Sequence, residues 1–429
     1  MTPEPSNGWQ IILLRDAGLI TRRPSYFEGT RPYLATADVS GFELMPAEEV
    51  SFAERPARAD LVLSEGDVLQ AKMKATNKAV LVRAEQSGWL ASTGFAQFCP
   101  DPDVVEPGFL FHVLASERFC ARKDALCVGS TQQAISDGWL GAMELAVCDP
   151  WEQRRIAGVL NALDELIRGT EQLIDKLQQV GRGLLHDLLT RGVTANGELR
   201  PPPGEAPQFY SDSPIGAAPK GWEVAALSSR YAVKGGKRLP FGHNYADRPT
   251  SYRYLRVLDF FERQIDYNKL EYLPAATFAA LESYEIADAD LYISIAGSLG
   301  FVGVFRPPGE IRQRTILTEN AARLVSVADA VPEFVALQMN HSLVQGQISA
   351  EKGTGGGVPK LALFRIERLS LLWPSPDEQA RIAATYDIVA KRIAVEREVV
   401  AKLEAIRRGL RHDLLSGGIR LRPEVRGSA

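Results

Sequence analysis

Glu152-Gln153-Arg154-Arg155-Ile156-Ala157 is answered, at an offset of 226 residues, by Glu378-Gln379-Ala380-Arg381-Ile382-Ala383. The same offset, without a gap, lays Arg182-Gly183-Leu184-Leu185-His186-Asp187-Leu188-Leu189 over Arg408-Gly409-Leu410-Arg411-His412-Asp413-Leu414-Leu415. A long-period repeat decides architecture before any local feature does. Both copies open on a capping side chain, then proline, then glutamate two residues on: Asp149-Pro150-Trp151-Glu152 and Ser375-Pro376-Asp377-Glu378. Both stop at glycine, Gly192 and Gly417-Gly418. The spacing predicts two helices of about forty residues, roughly 60 Å each if unbroken.

Their apolar positions alternate by four and three. In the first copy the seam is Ile156, Leu160, Leu163, Ile167, Thr170, Ile174, Leu177, Gly181, Leu184 and Leu188. In the second it is Ile382, Tyr386, Val389, Ile393, Glu396, Val400, Leu403, Arg407, Leu410 and Leu414. The two exceptions fall at matching places in both copies. Each seam needs cover, and the other copy is the simplest cover, which predicts an antiparallel intramolecular coiled coil. The alternative, two helices each lying on its own domain, calls for a wider apolar stripe.

The repeat extends outward. Gly8-Trp9-Gln10-Ile11 answers Gly221-Trp222-Glu223-Val224, Gly66-Asp67-Val68-Leu69 answers Ala289-Asp290-Leu291-Tyr292, Ser92-Thr93 answers Leu317-Thr318, and Gly129 answers Gly355. The offsets grow smoothly, so the chain reads as domain, helix, domain, helix. We place one domain at residues 1–148, a helix at 149–193, a proline-rich linker at 194–220, a second domain at 221–374, a helix at 375–418 and a tail at 419–429. The linker, with Arg200-Pro201-Pro202-Pro203-Gly204, reads as a spacer. β-Branched runs such as Lys78–Arg83 and Leu291–Ile295 mix with short helical stretches such as Pro332–Met339, so the fold class is α+β.

A chain of 429 residues exceeds one ordinary core. It contains no apolar stretch long enough to span a bilayer and no basic-then-apolar leader, which leads us to expect a cytoplasmic protein without membrane attachment. Cys99, Cys120, Cys127 and Cys148 lack metal-site spacing and read as reduced, buried thiols. Phosphate-loop, dinucleotide, zinc-protease and serine-elbow motifs are absent, as is the Asn-Pro-Pro-aromatic motif of adenine methylation. A nuclease reading of Asp67 with Gln70-Ala71-Lys72 fails because Gln70 brings no carboxylate to a metal. No catalytic or metal site is therefore expected.

Net charge is −4, yet cations cluster locally. From Lys234 to Arg256 six cations face one acid, Asp247, interleaved with Phe241, His243, Asn244, Tyr245, Tyr252 and Tyr254. From Lys72 to Arg83 four cations face none. Such stretches suit phosphates and base edges, whereas solvated surface loops are the plain alternative. Glycine turns at Gly235-Gly236, Gly297–Gly300 and Gly353–Gly357 permit close backbone approach. The candidate DNA-facing residues are Lys72, Lys74, Asn77, Lys78, Thr131 and Gln132 in the first domain, with Lys234, Lys237, Arg238, Tyr252, Arg253, Ser298, Asn320 and Lys360 in the second.

The paired helices, opening on Glu-Gln-x-x-Ile-Ala and closing on Gly-Leu-x-His-Asp-Leu-Leu, resemble the conserved regions of type I restriction-modification specificity subunits. Lys234-Gly235-Gly236-Lys237-Arg238-Leu239-Pro240, Tyr254–Val257, Asp290–Gly300, Leu317–Ala321 and Gly357–Leu361 resemble a target recognition domain of that family. Ser92-Thr93-Gly94-Phe95 departs from the second half's Thr318-Glu319-Asn320. The resemblance implies a non-catalytic chain whose two domains each read one half of a bipartite, asymmetric double-stranded DNA site, with the helix pair setting the gap. It also implies two methyltransferase subunits holding S-adenosylmethionine, and restriction subunits using ATP and magnesium, while this chain holds no cofactor. The rival readings are a coiled-coil scaffold for proteins and an enzyme with a divergent active site.

Overall fold

The proline-initiated segments form two uninterrupted helices, Pro150–Thr190 and Pro376–Leu415. The structure, a computed structural model, describes residues 8–40, 43–45, 47–129, 132–261, 264–309, 313–350 and 360–421. It divides into two compact units. Unit one comprises Met1–Leu173 with Glu396–Ala429, and unit two comprises Ile174–Val395. Each long helix therefore contributes a segment to each unit.

In unit one, two four-stranded sheets form the domain. The first runs Leu19–Ile20, Phe95–Phe98, Val68–Ala71, Ala79–Leu81, with antiparallel neighbours. The second runs Glu48–Ser51, Thr30–Leu34, Leu90–Ser92, Ala59–Val62, and pairs Thr30–Leu34 parallel to Leu90–Ser92. Val68–Ala71 is buried along its whole length, as a central strand covered on both faces must be. Gln10–Leu13 pairs separately with Glu144–Val147, just before the first long helix.

Unit two repeats this order strand for strand. Tyr231–Gly235, Ala321–Ser326, Leu291–Ser294 and Val302–Val304 make one sheet. Glu271–Tyr272, Tyr252–Leu255, Arg314–Leu317 and Glu285–Ile286 make the other, again with one parallel pair, Tyr252–Leu255 beside Arg314–Leu317. Glu223–Ala226 pairs with Ser370–Trp373 ahead of the second long helix. The duplication read from scattered residue pairs is thus a duplication of topology.

Within each unit the two helix segments run antiparallel. In unit one, Ile156 and Leu160 share a core with Leu414, and Leu410 packs against it. In unit two, Leu185 and Leu188 share a core with Ile382, flanked by Leu184 and Tyr386. Ile167 and Ile174 are buried, while Leu163, Leu177, Val389, Ile393, Leu403 and Leu410 are half-buried, as in a two-helix seam with open flanks. The exceptions at Arg407 and Gly181 meet groups that suit them. The Arg407 guanidinium lies 2.9 Å from Asp164 Oδ1. A Cβ on Gly181 would lie 3.2 Å from Val389 Cγ1, so glycine admits the valine.

A buried glutamate locks the start of each helix. In unit two Glu378 accepts hydrogen bonds from Arg200, the Trp222 indole N–H (3.1 Å) and the Val193 N–H (3.0 Å). In unit one Glu152 accepts from Arg420 Nη2 (2.7 Å) and the Leu421 N–H (2.9 Å).

Two expectations are corrected here. The proline-rich stretch is not a bare spacer, since Tyr210–Ser213 and Gly216–Pro219 form a hairpin, with Tyr210 and Ala218 buried. Proline bars a central strand but tolerates an isolated edge pair. Cys99 is exposed rather than buried. Burial raises the Cys120 and Cys148 thiols to about 11 and about 12, consistent with inert side chains.

Candidate nucleic-acid interface

The candidate residues of unit two come together where the strand Leu291–Ser294 ends. Its continuation is held by Ile295 N–H donating to Asn320 O (2.8 Å) and by a β-bridge between Ala296 and Lys360. Gly236 and Lys237 reach the same end through Gly236 N–H to Ala321 O (3.0 Å) and Lys237 N–H to Leu317 O (2.9 Å). A Cβ on Gly236 would sit 2.0 Å from Thr318 O, so only glycine allows this approach. The Tyr254 hydroxyl donates to Lys237 O at 2.8 Å. Lys237, Arg238, Ser298 and Lys360 are exposed around this cluster, and Asn320 is half-buried within it.

Unit one builds the corresponding place after Val68–Ala71. A β-bridge joins Met73 to Ala134, and Lys74 N–H donates to Gln133 O at 2.9 Å. The bridge pairs Met73–Ala134 and Ala296–Lys360 occupy equivalent positions in the two repeats. Lys123, fully buried, organises the turn by donating from Nζ to the carbonyls of Ala71, Met73 and Thr76 at 2.8–3.2 Å. Ala75 takes a left-handed φ of 56° there, held by its N–H to Asp124 Oδ2 (3.0 Å). Lys74 and Gln132 are exposed on this turn.

No protein-family model matches the chain. Among the curated relatives it resembles are three specificity subunits from Methanocaldococcus jannaschii. The type I restriction enzyme MjaIX specificity subunit is 22% identical over 250 residues, which is 54% of this chain and 54% of that protein. The putative MjaX specificity subunit is 21% identical over 334 residues (75% and 70%), and the MjaVIII specificity subunit 19% over 276 (63% and 61%). The chain spans about half the length of the first of these. Among solved structures, a type I restriction-modification S subunit from M. genitalium superposes with a TM-score of 0.58 at 14% identity, covering 96% of this chain and 98% of that one. A chain from a study of assembly and conformational transition of the type I system gives 0.57 at 19%, covering 97% and 100%. The fold is shared with these two.

The chain resembles type I specificity subunits in sequence and shares its fold with theirs.

Several candidates hold structure. Arg253, expected to face DNA, is buried, donates to the Tyr267 and Leu270 carbonyls, and stacks 4.2 Å from the Tyr272 ring centre. Tyr252 is half-buried and stacked at 4.2 Å on Phe278. Lys72 is drawn to Asp137 (3.1 Å) and Lys78 to Thr36 O (2.7 Å). Asn77 is exposed, but its amide donates to Ala115 O and accepts from Cys120 Sγ. Lys234 is exposed on its strand, and Thr131 lies outside the described residues. Arg238, though exposed, pairs with Glu319 Oε1 at 2.8 Å, a partner that charge counting missed. Lys123 was also missed, because nothing in its local sequence announces three distant carbonyls. Among the described residues no group of side chains is arranged to hold a metal ion, and no helix is long and apolar enough to cross a membrane.

Proposed function

We propose that this chain is a type I specificity subunit that reads an asymmetric, two-part double-stranded DNA site, one half with each unit. The observation that carries the reading is the loop cluster built twice on one topology: Lys74 and Gln132 in unit one, Lys237, Arg238, Ser298, Asn320 and Lys360 in unit two. Exposed cations neutralise phosphates, while amide and hydroxyl side chains on glycine-shaped turns can reach base edges. The differing side chains imply unlike half-sites. The two long helices would set the gap between them, so their length becomes part of the specificity.

The same reading assigns the chemistry to other subunits. Two methyltransferase subunits carrying S-adenosylmethionine would methylate adenine, and restriction subunits would use ATP and magnesium to move along and cut DNA in the cytoplasm. This chain would contribute no catalytic group or cofactor. A docking surface is available on the first helix, where Val159, Leu166 and Leu173 recur every seven residues and stand 39%, 54% and 39% exposed.

Binding by the chain assembled with its methyltransferase subunits tests the proposal. Five exposed cations, Lys74, Lys234, Lys237, Arg238 and Lys360, would give a log–log salt slope of about −4 to −5 if each meets a phosphate. A slope near zero, with assembly intact, would favour the protein-scaffold reading.

A further inference from the structure

Phe241 is 107% exposed, an apolar ring with no packing against the rest of the unit. It is not on a slack loop. Pro240-Phe241-Gly242-His243 is a turn closed by His243 N–H donating to Pro240 O at 3.1 Å, with Gly242 at φ +81°, the positive value a type II turn needs. Both sides of the turn are braced. Lys237 N–H is tied to Leu317 O, Leu239 packs into a cluster with Tyr254 and Phe278, His243 Nδ1 lies 2.9 Å from Thr277 Oγ1, and Ala246 N–H donates to Tyr272 O at 2.8 Å. The sequence and its fold thus hold a large aromatic ring away from all cover, three residues beyond the Lys237-Arg238 pair.

Unit one repeats the arrangement with a different residue. Its equivalent loop, between Leu19–Ile20 and Thr30–Leu34, reads Arg22-Arg23-Pro24-Ser25-Tyr26, again two cations, a proline and an aromatic. Tyr26 is 72% exposed and rests edge-on against Phe52, ring centres 5.4 Å apart. Neither loop is part of the repeat visible by residue matching. Strand order puts the two aromatics in equivalent loops of the two repeats.

The geometry points to Phe241 as a stacking wedge, a ring that inserts against or between base pairs of the duplex and reads how readily that step opens, with Tyr26 as its counterpart in the other half-site. This inference rests on the DNA-reading proposal above. An apolar wedge beside cations suits nucleic acid because the cations hold the backbone while the ring takes the place of a stacked neighbour. Specificity would then come partly from deformability, at positions without hydrogen-bonded contact. Phenylalanine offers stacking alone, whereas the Tyr26 hydroxyl adds a hydrogen-bonding group, so the two halves would differ in how they are read.

The test uses the chain assembled with its methyltransferase subunits, and a duplex carrying the sequence that assembly methylates, with 2-aminopurine placed at successive positions. Wild type should brighten 2-aminopurine at one step of one half-site. Phe241→Ala should abolish that signal and weaken binding about 5- to 150-fold, with unchanged thermal unfolding because the ring touches nothing. Phe241→Trp should retain binding, and its indole emission should be quenched on the duplex. Binding of Phe241→Ala within twofold of wild type, with the fluorescence step intact, overturns the wedge while leaving DNA reading in place. Loss of assembly in Phe241→Ala overturns it in favour of a protein contact. An assembly that neither binds nor methylates duplex DNA overturns both.

Discussion

Glu378→Gln perturbs the lock at the start of the second helix while keeping its volume. The Glu378 carboxylate is 6% exposed and collects Arg200, the Trp222 indole and the Val193 amide. A neutral amide can still accept from Trp222 or Val193 but leaves the Arg200 charge without its counterion. Breaking a fully buried pair costs roughly 3–5 kcal/mol. Arg200 keeps 22% side-chain exposure, so water screens part of that loss and about 2–3 kcal/mol is expected. For a unit of this size that lowers Tm by roughly 4–10 °C. Calorimetry gives the shift, and hydrogen exchange locates it. Exchange should rise around Val193, Trp222 and the first turn of the second helix, and remain unchanged in Val68–Ala71 of unit one. A Tm change under about 1 °C with unaltered exchange would refute the reasoning that this carboxylate joins helix, linker and domain.

Three further outcomes follow from the packing. Burial, and next the Arg411 guanidinium, hold His112 at about 4, below its usual 6.5, with Nε2–H donating to Asn161 Oδ1 at 2.8 Å. The folded state therefore binds fewer protons than the unfolded one. Stability of unit one is fully present above pH 6.5 and lost as pH falls toward 4, by on the order of 3 kcal/mol at about 1.36 kcal/mol per pKa unit; His112→Gln should flatten that acid limb in urea titrations, and an unchanged limb would exclude His112. Lys123→Met should remove the ammonium donor shared by three carbonyls, lower stability by about 2–4 kcal/mol and speed exchange at residues 72–78, as hydrogen exchange will report. Gly236→Ala should drive its Cβ into Thr318 O and reduce DNA affinity at least about tenfold while Arg253→Ala acts mainly on Tm, a contrast that parallel binding and melting curves would expose.

The helices were legible because their signals are local: proline and glycine mark the ends, and the four-three alternation marks the face. Even the exceptions at Arg407 and Gly181 were visible as matched departures, though not the Asp164 and Val389 side chains that accommodate them. The strands of unit one were less legible. Several span two to five residues and gain their burial from neighbours far along the chain, so their alternation is too short to read. Charge balance located the cluster at Lys237 and Arg238 but could not separate them from Arg253. A guanidinium's exposure depends on Tyr272 and two carbonyls that the sequence places elsewhere. Phe241 was visible only as one aromatic among several. Its meaning came from the turn that lifts it and from Tyr26 in the equivalent loop.

Two unlike readers on one paired-helix frame is the claim on which the rest depends, and mapping the adenines methylated by the assembled complex tests it most directly. With Lys237→Ala and Arg238→Ala combined, the half-site read by unit two should lose discrimination at one or more positions, while the other half and the gap between them stay as in wild type. Equal relaxation of both halves, or an unaltered methylated sequence, would contradict the assignment of one half-site to each unit.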